Sequence, residues 1–355
     1  MSNPNHLPAV PPGLAAARLR HADDFLAGRG LSRDGLDRLL RGRLGPGGRL
    51  LLTSSPVHGL ANATSDLDFI RVQDEDLAGT RMATQIFDGD HHLEAISFSA
   101  QETTAALADL ADLAASPPPA VVLGHDGWDR SHELRRKYLE RLVNGVSLDG
   151  SSPYLSNLPA LARVWKWASL HHATRHVFFL RLSEAAGESR GRLGYAVNAL
   201  LHLLDAVLSH YGDVFSNRKW YLLRWHRFVR SGGAPADLAK LVDRAREDVS
   251  AVLAGRSAQP LAPLVADLLD TVYEVAGEDQ RPALRLEPVA ATPPVRFLPG
   301  AAVLLGATAV FVGERPLPDG TLPVTGRSDL DDAPADLLRA ARGRALRLLP
   351  AALSR

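Results

Sequence analysis

Two aspartates one residue apart, Asp66 and Asp68, stand in the run Ser65-Asp66-Leu67-Asp68-Phe69-Ile70. On a strand, alternate residues share a face, so both carboxylates project the same way, roughly 6–7 Å apart, with apolar Leu67 and Phe69 behind them. Two carboxylates so placed can grip a hard cation. Octahedral Mg²⁺, at about 2.0–2.1 Å from its oxygens, takes one or two carboxylates and completes its shell with water and substrate phosphates. The same spacing also describes a solvated strand face. What distinguishes it is the preceding segment, Leu51-Leu52-Thr53-Ser54-Ser55-Pro56-Val57-His58-Gly59, which reads as a buried strand followed directly by a turn of small residues. Backbone N–H groups in such a turn are free to meet phosphate oxygens, and Ser54, Ser55 and Gly59 permit close approach.

The succession Ser55, three residues, Gly59, then Ser65-Asp66-x-Asp68 resembles the nucleotidyltransferase superfamily that includes DNA polymerase β and the antibiotic nucleotidyltransferases. Their pattern is Gly-Ser, three residues, Gly, then Ser-Asp-x-Asp on the next strand. The match is tight from Ser54 to Ile70 and looser from Leu14 to about Val229, where it rests on the order of helices and strands. It departs at Ser54, which stands where the family has glycine; its Cβ narrows the approach of a triphosphate, or its hydroxyl replaces a lost contact.

The resemblance implies transfer of a nucleoside monophosphate from a nucleoside triphosphate, ATP by expectation, to a hydroxyl or amine of a small-molecule acceptor, with release of pyrophosphate. Asp66 and Asp68 would hold one or two Mg²⁺ ions, and Ser54, Ser55, Gly59 and Ser65 would position the triphosphate. The family completes its site with a third carboxylate on a neighbouring strand, a metal ligand or the base. Glu94 is the candidate, because a charge between apolar neighbours in His92-Leu93-Glu94-Ala95-Ile96 is costly unless paired or bound to metal. Asp88 and Asp90 are rivals, but turn chemistry alone explains them. Helical bundles appended to such enzymes bring an Asn or Lys before an aromatic to the phosphates, which points to Lys219 in Ser216-Asn217-Arg218-Lys219-Trp220. Two other readings stand beside this one: a nucleotidyltransferase that modifies a protein partner, and a catalytically silent nucleotide-binding module.

These residues need elements to position them. Apolar periodicity predicts two short helices from Leu14 to Arg43 with a break at Gly28-Arg29-Gly30, and strands over Arg49–Thr53 and Leu67–Val72. A hairpin follows, Met82–Phe87 and His91–Phe98 about Asp88-Gly89. Gln101–Ala115 reads as a helix and Val121-Val122-Leu123 as a further strand. Long amphipathic helices are then predicted over His132–Gly145, Leu158–Ala186, Leu193–Tyr211, Arg218–Val229, Pro235–Leu253 and Leu261–Ala276. The tail reads as two strands joined at Gly306 within Phe297–Gly313, closed by an arginine-rich helix from Pro334 to Leu349. The expectation is an α+β protein: a disordered N-terminus at 1–13, a mixed-sheet nucleotidyltransferase domain at 14–129, a helical bundle at 130–280 and a small β/α appendage at 281–355.

Leu193–Tyr211 carries a polar stripe of Asn198, His202, Asp205 and Ser209, read as a surface feature with Asp205 as a reserve base. His91-His92 and His171-His172 diverge too far to chelate as adjacent pairs. Trp165, Trp167, Trp220 and Trp225 are expected to pack in the bundle. No Gly-x-Ser-x-Gly elbow frames Ser54 and Ser55, which removes a serine hydrolase from consideration.

Composition bounds the rest. In 355 residues there is no cysteine, which excludes disulfides, a thiol nucleophile and cysteine-ligated zinc or iron–sulfur sites. Forty basic residues balance forty acidic ones, so no nucleic-acid partner is expected. The balance is local, however: residues 1–129 carry 10 basic and 17 acidic side chains, whereas 130–230 carry 16 and 7. Such blocks attract each other across an interface, or suit a cleft with metal on one wall and phosphate on the other. Lysine is scarce, four against 36 arginines. With neither a signal-like start nor a run of about 20 apolar residues, the expectation is a cytoplasmic protein off the membrane, with a second copy of the chain admitted as a partner.

Overall fold

The structure, a computed structural model, describes residues 9–75, 82–185, 187–277 and five strands beyond them. Helices α1 (Leu14–Ala27) and α2 (Arg33–Leu44) open the chain, separated by the Gly28-Arg29-Gly30 break and by Ser32, whose hydroxyl caps α2 by accepting from the Gly35 amide at 3.2 Å. A five-stranded mixed sheet follows: β1 (Arg49–Leu52), β2 (Leu67–Gln73), β3 (Thr84–Asp88), β4 (His91–Ser99) and β5 (Val146–Ser147), in the order β3-β4-β2-β1-β5. Only β2 and β4 run parallel, with Asp68 opposite Glu94; the other pairs are antiparallel. The β3–β4 hairpin turns through Gly89-Asp90, and Gly89 at φ 55° adopts the positive φ that a tight two-residue turn needs at its first position.

Alternation decides what each face does. Leu50, Leu52, Leu67, Phe69, Leu93 and Ala95 pack with Leu26, Leu36 and Leu40 of α1 and α2. The opposite face presents Leu51, Ile70, Val72, Ile96 and Phe98 to the helical array, in one continuous core with it. Asp66, Asp68 and Glu94 share the parity of this second face and lie at its end, where the sheet meets the helices.

That array comprises α3 (Ala100–Ala115), α4 (Pro118–Ser131), α5 (Arg136–Asn144), α6 (Leu158–Ala185), α7 (Ser189–His210), α8 (Tyr221–Arg230), α9 (Ala236–Leu253) and α10 (Ala262–Val275). Trp165, Trp167 and Trp225 are buried within it. Val121-Val122-Leu123 is helix, not strand: it lies in α4, which a proline opens at its first turn, and Val121 and Val122 are buried while Leu123 is exposed. The expected helix over His132–Gly145 contracts to α5, because α4 runs on to Ser131 and residues 132–135 form the turn between them.

The tail forms a second, antiparallel sheet of β6 (Ala283–Pro288), β7 (Ala302–Leu305), β8 (Thr308–Val312), β9 (Val324–Arg327) and β10 (Leu346–Ala351), in the order β10-β6-β7-β8-β9. β7 and β8 are the strand pair expected about Gly306. Residues 346–349, expected to end a helix, instead pair along β6, while 334–345 and 1–8 lie outside the described residues. Among the described residues no helix is long and apolar enough to cross a membrane.

Candidate active site

The turn after β1 is built to be held still. Thr53 donates its amide and hydroxyl to the Asp68 carbonyl at 2.9 and 3.0 Å, extending the β1–β2 ladder to the base of the turn. Ser54 then takes φ 65°, the left-handed region, and among the described residues no other non-glycine residue does so. That conformation costs an L-residue about 1–2 kcal/mol, which identifies why glycine suits the position. The Ser54 hydroxyl is buried with no intramolecular partner. Gly59, at φ 63°, is required for a different reason: a Cβ there would lie 3.0 Å from the His21 ring.

The helical array clamps this turn from above. Arg227 of α8 donates to the Gly59 carbonyl at 2.8 Å and the His58 carbonyl at 3.4 Å. The His58 ring stacks on Phe215 at 4.4 Å, and burial together with the Arg18 charge lowers its pKa to about 3, so the ring is neutral. Before β2, Asn62 and Ser65 close a second turn, with the Ser65 hydroxyl 3.0 Å from the Asn62 side-chain oxygen.

Between sheet and helices lies a cleft of about 550 Å³ whose walls include Ser54, Ser55, Ser65, Asp66, Asp68 and Glu94 on one side and Lys137, Arg141, Ser216 and Lys219 on the other. Of the residues singled out in the sequence, Gly59 does not line it. The Gly59 amide donates to the Pro56 carbonyl at 3.1 Å, so its part is to turn the chain and not to offer an N–H to a ligand. Asp66 is mostly exposed and accepts from His92 Nδ1 at 3.0 Å, whereas Asp68 sits deeper, its carboxylate 3.2 Å from Arg141 Nη2. Glu94 accepts from Gln85 Nε2 of the neighbouring strand at 3.2 Å. It faces the cleft, so the burial cost that suggested it from the sequence is not what positions it. Asp88 and Asp90 stay in the hairpin turn, off the cleft walls.

Lys137, Arg141 and Glu140 escaped the sequence reading, although Lys137 and Arg141 at i and i+4 share a helix face. Glu140 organises the far wall. Buried beneath it, the carboxylate accepts from Trp165 Nε1 at 2.9 Å, the Ser216 amide at 3.1 Å and the Ser216 hydroxyl at 2.5 Å, while burial pushes its pKa up. Asp205 is corrected outright. It is buried, paired with Arg224 at 3.3 Å and bonded by the Ser169 hydroxyl at 2.7 Å, so the stripe on α7 points inward and Asp205 is no reserve base. Arg224 in turn donates to the Phe215 carbonyl and holds the loop that carries Ser216 to Lys219.

A hard cation suits the donors present. Asp66 and Asp68 offer oxygen only, and the Arg141 guanidinium already stands against Asp68 as a positive charge. Among the described residues, the three-residue group whose ligand atoms all lie within 4.8 Å of one another is His125, Asp126 and His172, on α4 and α6; Asp66, Asp68 and Glu94 are not gathered that closely. A larger groove of about 950 Å³ opens beside β1 and β5, but its Asp37 is already bound to Arg41 at 2.7 Å.

Fold and cleft together define an α+β protein in which a mixed sheet and a helical array meet at a polar site. The chain belongs to a family of unknown function (DUF6001), whose profile matches residues 11–352. Among solved structures it is similar to a nucleotidyltransferase-like protein from Exiguobacterium sibiricum 255-15, at 12% identity and a TM-score of 0.31, over 68% of this chain and 73% of that one. No curated protein matches the sequence.

Proposed function

We propose that the protein is a Mg²⁺-dependent nucleotidyltransferase that moves a nucleoside monophosphate from a nucleoside triphosphate, ATP in the first instance, to a hydroxyl or amine of a small-molecule acceptor. The observation that carries this is the convergence of the Ser54-Ser55 turn, Asp66, Asp68 and Glu94 on one cleft wall opposite Lys137, Arg141 and Lys219. Asp66 and Asp68 would hold the metal, one or two ions, which when bound neutralises phosphate charge and orients an in-line displacement. The Ser54 and Ser55 hydroxyls donate to phosphate oxygens, and Lys219 meets them from the helical side. Arg141 exchanges Asp68 for phosphate. Glu94 takes the proton as the acceptor oxygen or nitrogen bonds to the α-phosphorus, the bond from that phosphorus to the bridging oxygen breaks, and pyrophosphate leaves.

A second reading, a nucleotide-binding module without catalysis, is favoured by Ser54 at a position that prefers glycine and by the Arg141–Asp68 pair. Incubating the protein with α-labelled ATP and Mg²⁺, with and without a small-molecule cell extract, separates the cases. The expected result is a labelled small adduct together with pyrophosphate. A labelled protein in a whole extract would move the acceptor to the protein class. Saturable ATP binding with no transfer would establish the silent module.

A further inference from the structure

α4 and α6 pack so that His125 and Asp126, neighbours on one helix, face His172 on the other. The Asp126 Oδ1 atom lies 3.5 Å from His125 Nδ1 and 3.7 Å from His172 Nε2. Ligand atoms of a tetrahedral ion bound at about 2.0–2.1 Å are separated by roughly 3.4 Å, so both distances are those of ligands sharing one centre. The three donors all lie within 4.8 Å of one another. We infer that His125, Asp126 and His172 form a second metal centre, distinct from the carboxylate cleft, that binds a divalent transition ion of the Zn²⁺ type and leaves its fourth position open.

Donor chemistry separates this centre from the first. Two imidazole nitrogens and one carboxylate oxygen match a borderline ion, whereas Asp66 and Asp68 offer hard oxygen alone. Metal ligation needs a neutral imidazole from each histidine and an ionised carboxylate, one donor atom apiece, and these three side chains supply that set. Surrounding groups restrict how the ligands can move. The His125 ring meets Trp165 edge-on at 5.1 Å, and the His172 ring lies 5.1 Å from that of His202, whose Nδ1 is buried without a partner.

A cation already occupies the approach. Arg136 Nη1 lies 3.3 Å from His125 Nδ1 and 3.9 Å from Asp126 Oδ1. Its guanidinium is held independently by Asp129, at 3.0 Å through Nε and 2.9 Å through Nη2, so it keeps a carboxylate partner when an ion displaces it. The inference stands apart from the nucleotidyltransferase reading and survives its failure.

The test uses the full, untagged chain stripped with EDTA and titrated with ZnCl₂ by calorimetry, and with CoCl₂ by visible absorption. The expected result is one equivalent of Zn²⁺ bound, a rise in thermal midpoint, and the intense visible bands of four-coordinate Co²⁺. His172→Ala and Asp126→Asn should each weaken Zn²⁺ binding at least 100-fold. Asp68→Asn should leave it intact, which separates this site from the cleft. Arg136→Gln keeps all three ligands while removing the competing charge, and should tighten binding several-fold, a readout that does not depend on whether the ligand variants fold. Absence of saturable binding, full affinity in folded His172→Ala, or affinity in Arg136→Gln that is unchanged or weaker would overturn the inference.

Discussion

Replacing Ser54 by glycine should make the protein more stable and a poorer nucleotide binder, two effects of opposite sign from one side chain. Relief of φ 65° returns about 1–2 kcal/mol, since glycine adopts this conformation freely. Removing a buried hydroxyl without a partner returns about 1–3 kcal/mol more. Against these, the added freedom of glycine in the unfolded chain costs about 0.5–1 kcal/mol. The net is stabilisation of about 1–4 kcal/mol, which in a chain of this length raises the thermal midpoint by about 1–6 °C. Binding should move the other way. A hydroxyl donating to a charged phosphate contributes about 1.5–3 kcal/mol, so the Kd for MgATP should rise roughly 10- to 150-fold. Ser54→Ala isolates the hydroxyl: it keeps the Cβ and hence the strain, so its affinity should fall as far while its midpoint gains less. Calorimetric titration with MgATP and scanning calorimetry of the free proteins give both numbers. A lower midpoint in Ser54→Gly together with an unchanged Kd would refute the account of this turn.

Three further outcomes are expected. Asp68→Asn should abolish Mg²⁺-dependent ATP binding while the fold survives, because the carboxylate lies at the cleft and the amide keeps its size and an oxygen acceptor for Arg141; calorimetry with and without Mg²⁺ checks this. Glu94→Gln should lower kcat by roughly 10²–10⁴-fold with little change in nucleotide KM, and Lys219→Ala should chiefly raise that KM, as steady-state kinetics with an identified acceptor will measure. Stability should fall with acid between pH 6.5 and about 4. His172 and His176 are lowered to about 4, first by burial and then by neighbours that include Arg175 for both, so within that window the unfolded chain binds protons that the native state refuses. Thermal melts across the window should show the slope, and His176→Gln should flatten it.

What the sequence revealed is what is local in it. The turn after β1, Asp66 just before β2 and Asp68 within it span fewer than twenty residues, and alternation through extended chain gives Asp66, Asp68 and Ile70 one parity whatever packs there. The parallel neighbour β4 brings Glu94 opposite Asp68, a pairing that the hairpin signal at Asp88-Gly89 does not contain, since that signal joins β4 to β3 alone. Long-range packing settled the rest. Three apolar residues, Val121 to Leu123, fit a buried strand or a helix equally well, and contact with α6 decides the matter. The α7 stripe looked solvated because its partner, Arg224, lies on a different helix. As an adjacent pair on a helix, His171-His172 diverges by about 100° and makes a poor chelate. His172 gains its neighbours, His125 and Asp126, only after α4 docks on α6.

The unequal charge blocks allow either mutual attraction across an interface or a cleft for metal and phosphate, and the attraction acts at the walls of the cleft proposed as the site. Acidic side chains on β2 and β4 face basic ones on α5 and beside α8, and Arg141 spans the gap to Asp68 at 3.2 Å. A carboxylate and a guanidinium left unpaired in a half-buried cleft would each carry a desolvation cost, so their pairing stabilises the free protein. That pairing opposes metal binding, since an ion reaching Asp68 must release Arg141. The cost falls if the ion arrives with a triphosphate, because the released guanidinium then finds phosphate oxygens in place of the carboxylate. Metal alone should therefore bind this cleft weakly and metal with nucleotide tightly, an ordering set by one arginine of α5. At its other end the same helix sets Arg136 against His125 and Asp126. There Asp129 takes the displaced charge and no anionic ligand is needed, so that centre should bind metal without nucleotide.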